Sequence, residues 1–327
     1  MRNCSTYGGS GGQGQGAKVM VIIDVTNLTK TFDGKAVLGG ISFRVEEGEV
    51  FGFLGPNGAG KTTTIRIILG LLAPTSGTAR VWGSDLGRED ALRRRVGVLL
   101  ENNGLFARLS AHDNLRYYAG LYGVSNPGKR IRELLEYVDL AASADEPVGT
   151  FSTGMMRKLA LARAIIHDPE LLFLDEPTSG LDPEAQRLVR DLILELSREQ
   201  NRTVFLNSHN LNEVQRVCTK VAILNAGRVR AYDSVEHLRA SEKAPVYEIT
   251  VADPATAERA SSLVAALDGV RSSSVDGAVL TVSLDEAVGP RVLRELVLAG
   301  VDLAEARRVT RSLEDVYLGI VREEGAV

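Results

Sequence analysis

The chain has 327 residues, 44% of them hydrophobic and 24% charged, with a formal net charge of −4. These figures fit one large globular domain plus a smaller one, and they leave no basic footprint for nucleic acid or an anionic membrane surface. No apolar run is long enough to cross a bilayer, the N-terminus lacks the apolar centre of a signal peptide, and Cys4 and Cys218 sit in unlike contexts, which suits a reducing cytoplasm.

Residues 1–19 are rich in Gly, Ser and Gln and are expected to form a flexible tail, because they cannot bury enough apolar surface to order themselves. Met20 directly precedes the first strand-like run and is a candidate start of translation; a native peptide from residues before it would overturn that reading. Residues 21–25 and 28–32 read as β-structure, Asp33-Gly34 as a hairpin turn, and 41–45 as a half-buried strand. Residues 49–54 form a short apolar run that fits a buried strand, and 62–72 read as a helix.

Further strands are expected at 78–82 and 96–100, and helix from 111 to about 141 and over 156–166. The continuous apolar run 170–174 suits a central parallel strand. Pro183 opens a helix to about 197, and 203–206 and 221–224 complete the core strands. Strands alternating with helices imply an α/β sheet covered by helices. Composition shifts at 240–245, which places a boundary near 241 between a domain of residues 20–241 and a smaller α+β domain of residues 242–327. The latter reads as strand 246–251, helix 255–267, strand 278–284, helix 290–299, a weak strand 306–309 and a helix 312–321.

Between the strand at 49–54 and the helix at 62 lies Gly55-Pro56-Asn57-Gly58-Ala59-Gly60-Lys61-Thr62, followed by Thr63. It matches the phosphate-binding loop of nucleoside triphosphatases, in the strand–loop–helix context that loop requires. Phosphate oxygens must be met by backbone N–H groups at close range, so side chains are absent at Gly55, Gly58 and Gly60. The helix start adds free N–H groups and a positive dipole end. Lys61 supplies a positive charge for the terminal phosphates, Thr62 a hydroxyl ligand for Mg²⁺, and Thr63 reaches another phosphate oxygen.

The strand at 170–174 ends in Asp175-Glu176. Sheet strands deliver polar residues at their carboxyl ends, beside such a loop. Asp175 is the expected Mg²⁺ partner and Glu176 is placed to polarise a water for attack on the terminal phosphate. Ser152, Thr153 and Gly154 open the next upstream helix as a second anion site; alone, Ser152 would be only a helix cap.

The order of phosphate loop, Ser-x-Gly helix start, Leu-Asp-Glu strand, Ser179-Gly180-Leu181-Asp182 and an isolated His209 resembles the ATP-binding cassette (ABC) ATPases of transporters, over about residues 21–238. Residues 99–103, 151–155 and the appended C-terminal domain resemble a subgroup that serves drug, antibiotic or other hydrophobic-substrate exporters. The resemblance implies an α/β phosphate-loop ATPase core with an antiparallel β subdomain, a helical subdomain near 101–165, and a small C-terminal α+β domain. It implies that Phe32 stacks on adenine, against the alternative of an ordinary strand residue. It assigns Ser152, Thr153 and Gly154 to the ATP of the opposite subunit, Asp182 to coupling across the dimer, and His209 to sensing the terminal phosphate.

The implied assembly is a homodimer enclosing two MgATP, docked to a separate integral membrane permease at the cytoplasmic face of the membrane, with no nucleic acid partner. Docking is expected around 101–121, where Leu105, Phe106 and Tyr117 form either a contact patch or part of the helical subdomain's own core. Two positions depart from the family pattern. Thr153 replaces a glycine, and Glu101 stands where a Gln bridges Mg²⁺ and the membrane partner, which predicts active but slower hydrolysis. The rival readings are a soluble cassette ATPase of DNA repair or translation, which lacks support from coiled-coil insertions or tandem cassettes, and a C-terminal ligand sensor. An accessory or dimerisation role for that domain leads, and Arg307, Arg308 and Arg311 read as a solvated face.

Overall fold

The computed structural model describes residues 20–240, 246–309 and 312–322. The expected N-terminal tail, Cys4, the boundary segment 241–245 and Arg311 lie outside them. In chain order, β1 (Val21–Phe32) and β2 (Lys35–Glu46) form a hairpin, followed by β3 (Val50–Leu54), α1 (Lys61–Ile68), β4 (Ser76–Val81), α2 (Asp90–Arg93) and β5 (Val96–Leu99). Then come α3 (Ala111–Tyr122), α4 (Pro127–Tyr137), α5 (Thr153–Ala164), β6 (Leu171–Asp175), α6 (Pro183–Arg198), β7 (Thr203–Asn207), α7 (Leu211–Val217), β8 (Lys220–Asn225), β9 (Arg228–Ser234) and α8 (Val235–Ala240).

A six-stranded sheet runs in the order β5-β6-β7-β3-β8-β9, parallel except for β9. Its inner strands β3, β6 and β7 are buried along their whole length, as a sheet covered on both faces demands. On one face sits the three-stranded antiparallel sheet β2-β1-β4 together with α1. Aromatic rings fill this layer: Phe43 stacks on Phe51 with centroids 5.4 Å apart, and Phe205 contacts Phe43, Phe51, Phe53 and Phe173. On the other face, α3 to α6 build a second core around Leu115, Leu134, Leu159, Leu174 and Leu206.

Several expected boundaries move for local reasons. The helix after the phosphate loop ends at Ile68 instead of 72, because Gly70 turns left-handed at φ 70° and the backbone of Gly87 lies where a Cβ would stand. The helical stretch from 111 breaks in two, since Asn126 caps a new helix that Pro127 opens. Strand β9, unforeseen, is an edge strand with little burial.

The C-terminal part continues with β10 (Val246–Val251), α9 (Ala257–Ala265), β11 (Val270–Asp276), β12 (Val279–Leu284), α10 (Gly289–Leu298), β13 (Leu303–Val309) and α11 (Leu313–Arg322). Its antiparallel sheet, ordered β11-β12-β10-β13, packs α9 and α10 around its own core of Ile249, Val264, Leu280, Val282, Val292 and Leu296. This is the βαββαβ arrangement. Helix α11 then returns to the larger unit: Leu313 is fully buried in the main core, and its N–H donates to Gln215 Oε1 on α7 at 2.7 Å.

Candidate active site

Strand β3 delivers the phosphate loop from the middle of the sheet. A Cβ at Gly55 would stand 2.2 Å from the carbonyl oxygen of Leu224, so only glycine lets the loop leave the strand here. Helix α1 begins at Lys61 with no side chain capping its amides, which leaves N–H groups facing the loop for an anion. Lys61 is buried, and its Nζ donates to the carbonyls of Gly55 at 2.6 Å and Pro56 at 3.2 Å. Burial holds its pKa below the ordinary lysine range, opposed by the charges of Glu176 and Asp175.

The register of the sheet brings the second half of the site alongside. Asn207 on β7 pairs with Phe53 of β3 on one side and Asp175 of β6 on the other. Its Nδ2 donates to Asp175 Oδ1 at 2.5 Å, which orients a carboxylate only 6% exposed. The next residue, Glu176, has φ 51°, a left-handed conformation that a side chain disfavours. Its N–H is held by the carbonyl of Asn207 at 2.8 Å. Burial pushes the Glu176 carboxyl above the usual glutamate range, and the charge of His209 opposes that shift. His209 Nδ1 lies 2.7 Å from Glu176 Oε2, while the ring is otherwise open to solvent.

Lys61, Asp175, Glu176 and Asn207 share a cavity of about 590 Å³, and His209 lies outside its lining. Asn57, Gly58, Gly60, Lys61, Thr62 and Thr63 line one side, and Asp175, Glu176 and Asn207 another; Val37, Glu101, Asn103, Thr153, Arg157 and Ser179 complete it. An adjoining cavity of about 330 Å³ places Thr62, Glu101 and Asp175 together. Of the expected site residues, Gly55, Pro56 and Ala59 belong to the loop but do not line the cleft. Ser152 and Gly154 also lie off its walls: Ser152 Oγ accepts the N–H of Met155 at 3.2 Å and caps α5, the local role any protein gives such a serine. Asp182 is exposed and caps α6 through the N–H of Ala185 at 2.8 Å.

Phe32 stands at the end of β1, 42% exposed, with Lys30 Nζ 4.8 Å from its ring centroid; it is not a core strand residue. In the expected docking stretch the residues divide. Leu105 packs against the main core, whereas Phe106 and Tyr117 are exposed and meet edge to face at 5.0 Å. Sequence reading missed Asn207 and Arg157. The first is recognisable only from strand register, and the second is one of two arginines in α5, with no local pattern to mark it.

A family model described as ABC transporter matches residues 38–179. Over 304 residues the chain is 35% identical to YhcH, an uncharacterised ABC transporter ATP-binding protein of Bacillus subtilis, covering 92% of this chain and 96% of that protein. The chain belongs to the ATP-binding proteins of ABC transporters. It is also 41% identical over 219 residues to BcrA, the bacitracin transport ATP-binding protein of Bacillus licheniformis, covering 67% of this chain and 71% of BcrA.

Among solved structures, the dimeric post-hydrolysis state of the ATP-binding cassette MJ0796, bound to ADP and Pi, aligns with TM-score 0.60 and 25% identity. The alignment covers 65% of this chain and 98% of that one. This ABC protein is an ATPase with a mixed α/β phosphate-loop fold, and the soluble DNA-repair or translation reading is not favoured. Among the described residues, no helix is long and apolar enough to cross a membrane.

Proposed function

We propose that this chain is the motor subunit of an exporter for an antibiotic-like or other hydrophobic substrate, coupled to a separate membrane permease at the cytoplasmic face. The observation that carries the reading is the convergence of Lys61, Thr62, Asp175 and Glu176 on one cleft, with His209 on the Glu176 carboxylate. The likeness to a bacitracin transport protein supports the substrate class.

The residues present suit Mg²⁺. Thr62, Asp175 and Glu101 offer a hydroxyl and two carboxylates around one cavity, the hard oxygen donors this ion prefers. Bound there, Mg²⁺ would neutralise charge on the phosphates. Lys61 and the free amides of the loop and α1 would hold the same phosphates, giving the electrostatic stabilisation on which phosphoryl transfer mainly depends. Glu176 orients and polarises the attacking water, and His209 fixes the Glu176 carboxylate and faces the terminal phosphate.

At the start of α5, Thr153 lines the chain's own cleft whereas Ser152 and Gly154 do not. This supports a head-to-tail homodimer in which the Ser152–Gly154 turn of one copy closes over the ATP of the other, with Phe32 against adenine and Asp182 near the junction. Phe106 and Tyr117 form the contact for the permease. We assign residues 20–241 to the ATPase domain and 242–327 to an accessory domain joined to it through α11 and α7. The test is hydrolysis by the purified chain with and without membranes carrying a candidate permease. Mg²⁺-dependent activity that rises with the permease supports the reading, and stimulation by DNA or ribosomes instead overturns it.

A further inference from the structure

Arg157 lies in the second turn of α5, is 8% exposed, and spends its guanidinium almost entirely on backbone carbonyls. Its Nη2 donates to Asp175 O and Glu176 O, each at 2.5 Å, and its Nε to Pro177 O at 3.4 Å. Its Nη1 donates to Leu100 O at 3.2 Å and Asn103 Oδ1 at 3.0 Å. One side chain therefore ties the helix that starts at Ser152 to the end of β6 and to the loop that carries Glu101. Among the described residues it makes no ion pair with a carboxylate; carbonyl oxygens meet its buried charge directly, and the charges of Asp175 and Glu176 act on it from nearby.

The carbonyl of Glu176 is the informative partner. Glu176 holds a left-handed backbone, a strained conformation that persists only where surroundings over-determine it. Asn207 O accepts its N–H, and its C=O accepts from Arg157 Nη2 at 2.5 Å and, more weakly, from the Ser179 N–H at 3.2 Å. Without Arg157 the C=O keeps only the longer turn bond from Ser179, a weaker restraint on the strained peptide and on the carboxylate it carries. Lysine cannot replace this function, because one ammonium point cannot span carbonyls on separate segments, whereas the planar fork can.

We propose that Arg157 is a positioning residue for hydrolysis: it holds the strained Glu176 peptide and the Glu101 loop in register. The inference rests on the ATPase role proposed for Glu176. Arg157 borders the cleft, but its N–H groups are spent on carbonyls, so its function is exerted through Glu176.

The test compares wild type, Arg157→Lys, Arg157→Met, Glu176→Gln and the double variant Arg157→Lys/Glu176→Gln for MgATP hydrolysis, nucleotide affinity and melting temperature. A misplaced catalytic group costs about 100-fold, so kcat of Arg157→Lys is expected to fall by that order with KM and ATP affinity within about 3-fold of wild type. The double variant is expected to be no slower than Glu176→Gln alone, because a residue acting through Glu176 has nothing left to position.

Independent, multiplicative losses in the double variant, wild-type kcat in Arg157→Lys, or failure of Arg157→Lys to fold would each overturn the proposal; failure of Arg157→Met alone leaves the Lys cycle to decide. Absence of MgATP hydrolysis in the wild type, equal to Glu176→Gln, would instead sink the ATPase assignment of the site.

Discussion

His209 Nδ1 lies 2.7 Å from Glu176 Oε2, across the gap between the ends of β7 and β6. A titratable ring thus bears directly on the carboxylate placed to activate water, and the pH behaviour of the enzyme follows from that pair.

Burial raises the Glu176 pKa above its ordinary value of 4.5, and the His209 charge pulls it back. Glu176 must be ionised to polarise water, so kcat falls on acidification at a higher pH than a solvated glutamate would give. Replacing His209 with Ala removes the opposing charge and moves the acid limb to higher pH. A kcat–pH profile of the two proteins measures this; an unchanged acid limb would sever the pair from catalysis.

The same shift has a stability consequence of fixed sign. A carboxyl whose pKa is raised on folding binds its proton more tightly in the native state. Stability therefore drops as pH rises from the unfolded pKa through the folded one, and the full cost is present above it. Glu176→Gln removes that cost and is expected to melt higher than wild type at neutral pH, with the difference vanishing toward pH 4. Its kcat falls by about 100-fold or more.

Glu101 contributes a negative charge and no hydrogen-bond donor where it lines the cleft with Thr62 and Asp175. Glu101→Gln is expected to raise kcat by a few-fold and to change the Mg²⁺ concentration giving half activity. Steady-state assays across a Mg²⁺ titration decide the matter. Identical curves would remove Glu101 from the site.

Phe106 and Tyr117 are exposed aromatics in edge-to-face contact, and the buried amide of Asn114 bonds the N–H and C=O of Phe106. Phe106→Ala with Tyr117→Ala is expected to leave basal hydrolysis within about 2-fold and to reduce permease co-purification at least about 10-fold, since aromatic anchors dominate interface energies. Undiminished capture by the permease would place docking elsewhere.

Phe205, fully buried among Phe43, Phe51, Phe53 and Phe173, joins the parallel sheet to the antiparallel one. Phe205→Ala is expected to cost about 3–5 kcal/mol, read from denaturant midpoints.

The parts of the site with fixed spacing were legible in the sequence. A loop of small residues between an apolar strand and a helix, and a strand ending in Asp175-Glu176, carry their chemistry in linear order. Asn207 and Arg157 act through strand register and a helix-to-carbonyl reach, and no local pattern marks either. Edge strands β9 and β11 escaped for a different reason: both are polar and half-exposed, so neither shows the apolar run or clean alternation that marks a strand. The left-handed turn at Glu176 is invisible too, since nothing in Asp-Glu-Pro announces a positive φ at a glutamate.

The most direct measurement is MgATP turnover by the purified chain beside Glu176→Gln, alone and with membranes containing a candidate permease. Hydrolysis that needs Mg²⁺, disappears in the variant and rises with the permease is the expected result. Turnover that survives in Glu176→Gln, or that ignores every membrane partner, would contradict a transport motor built around this cleft.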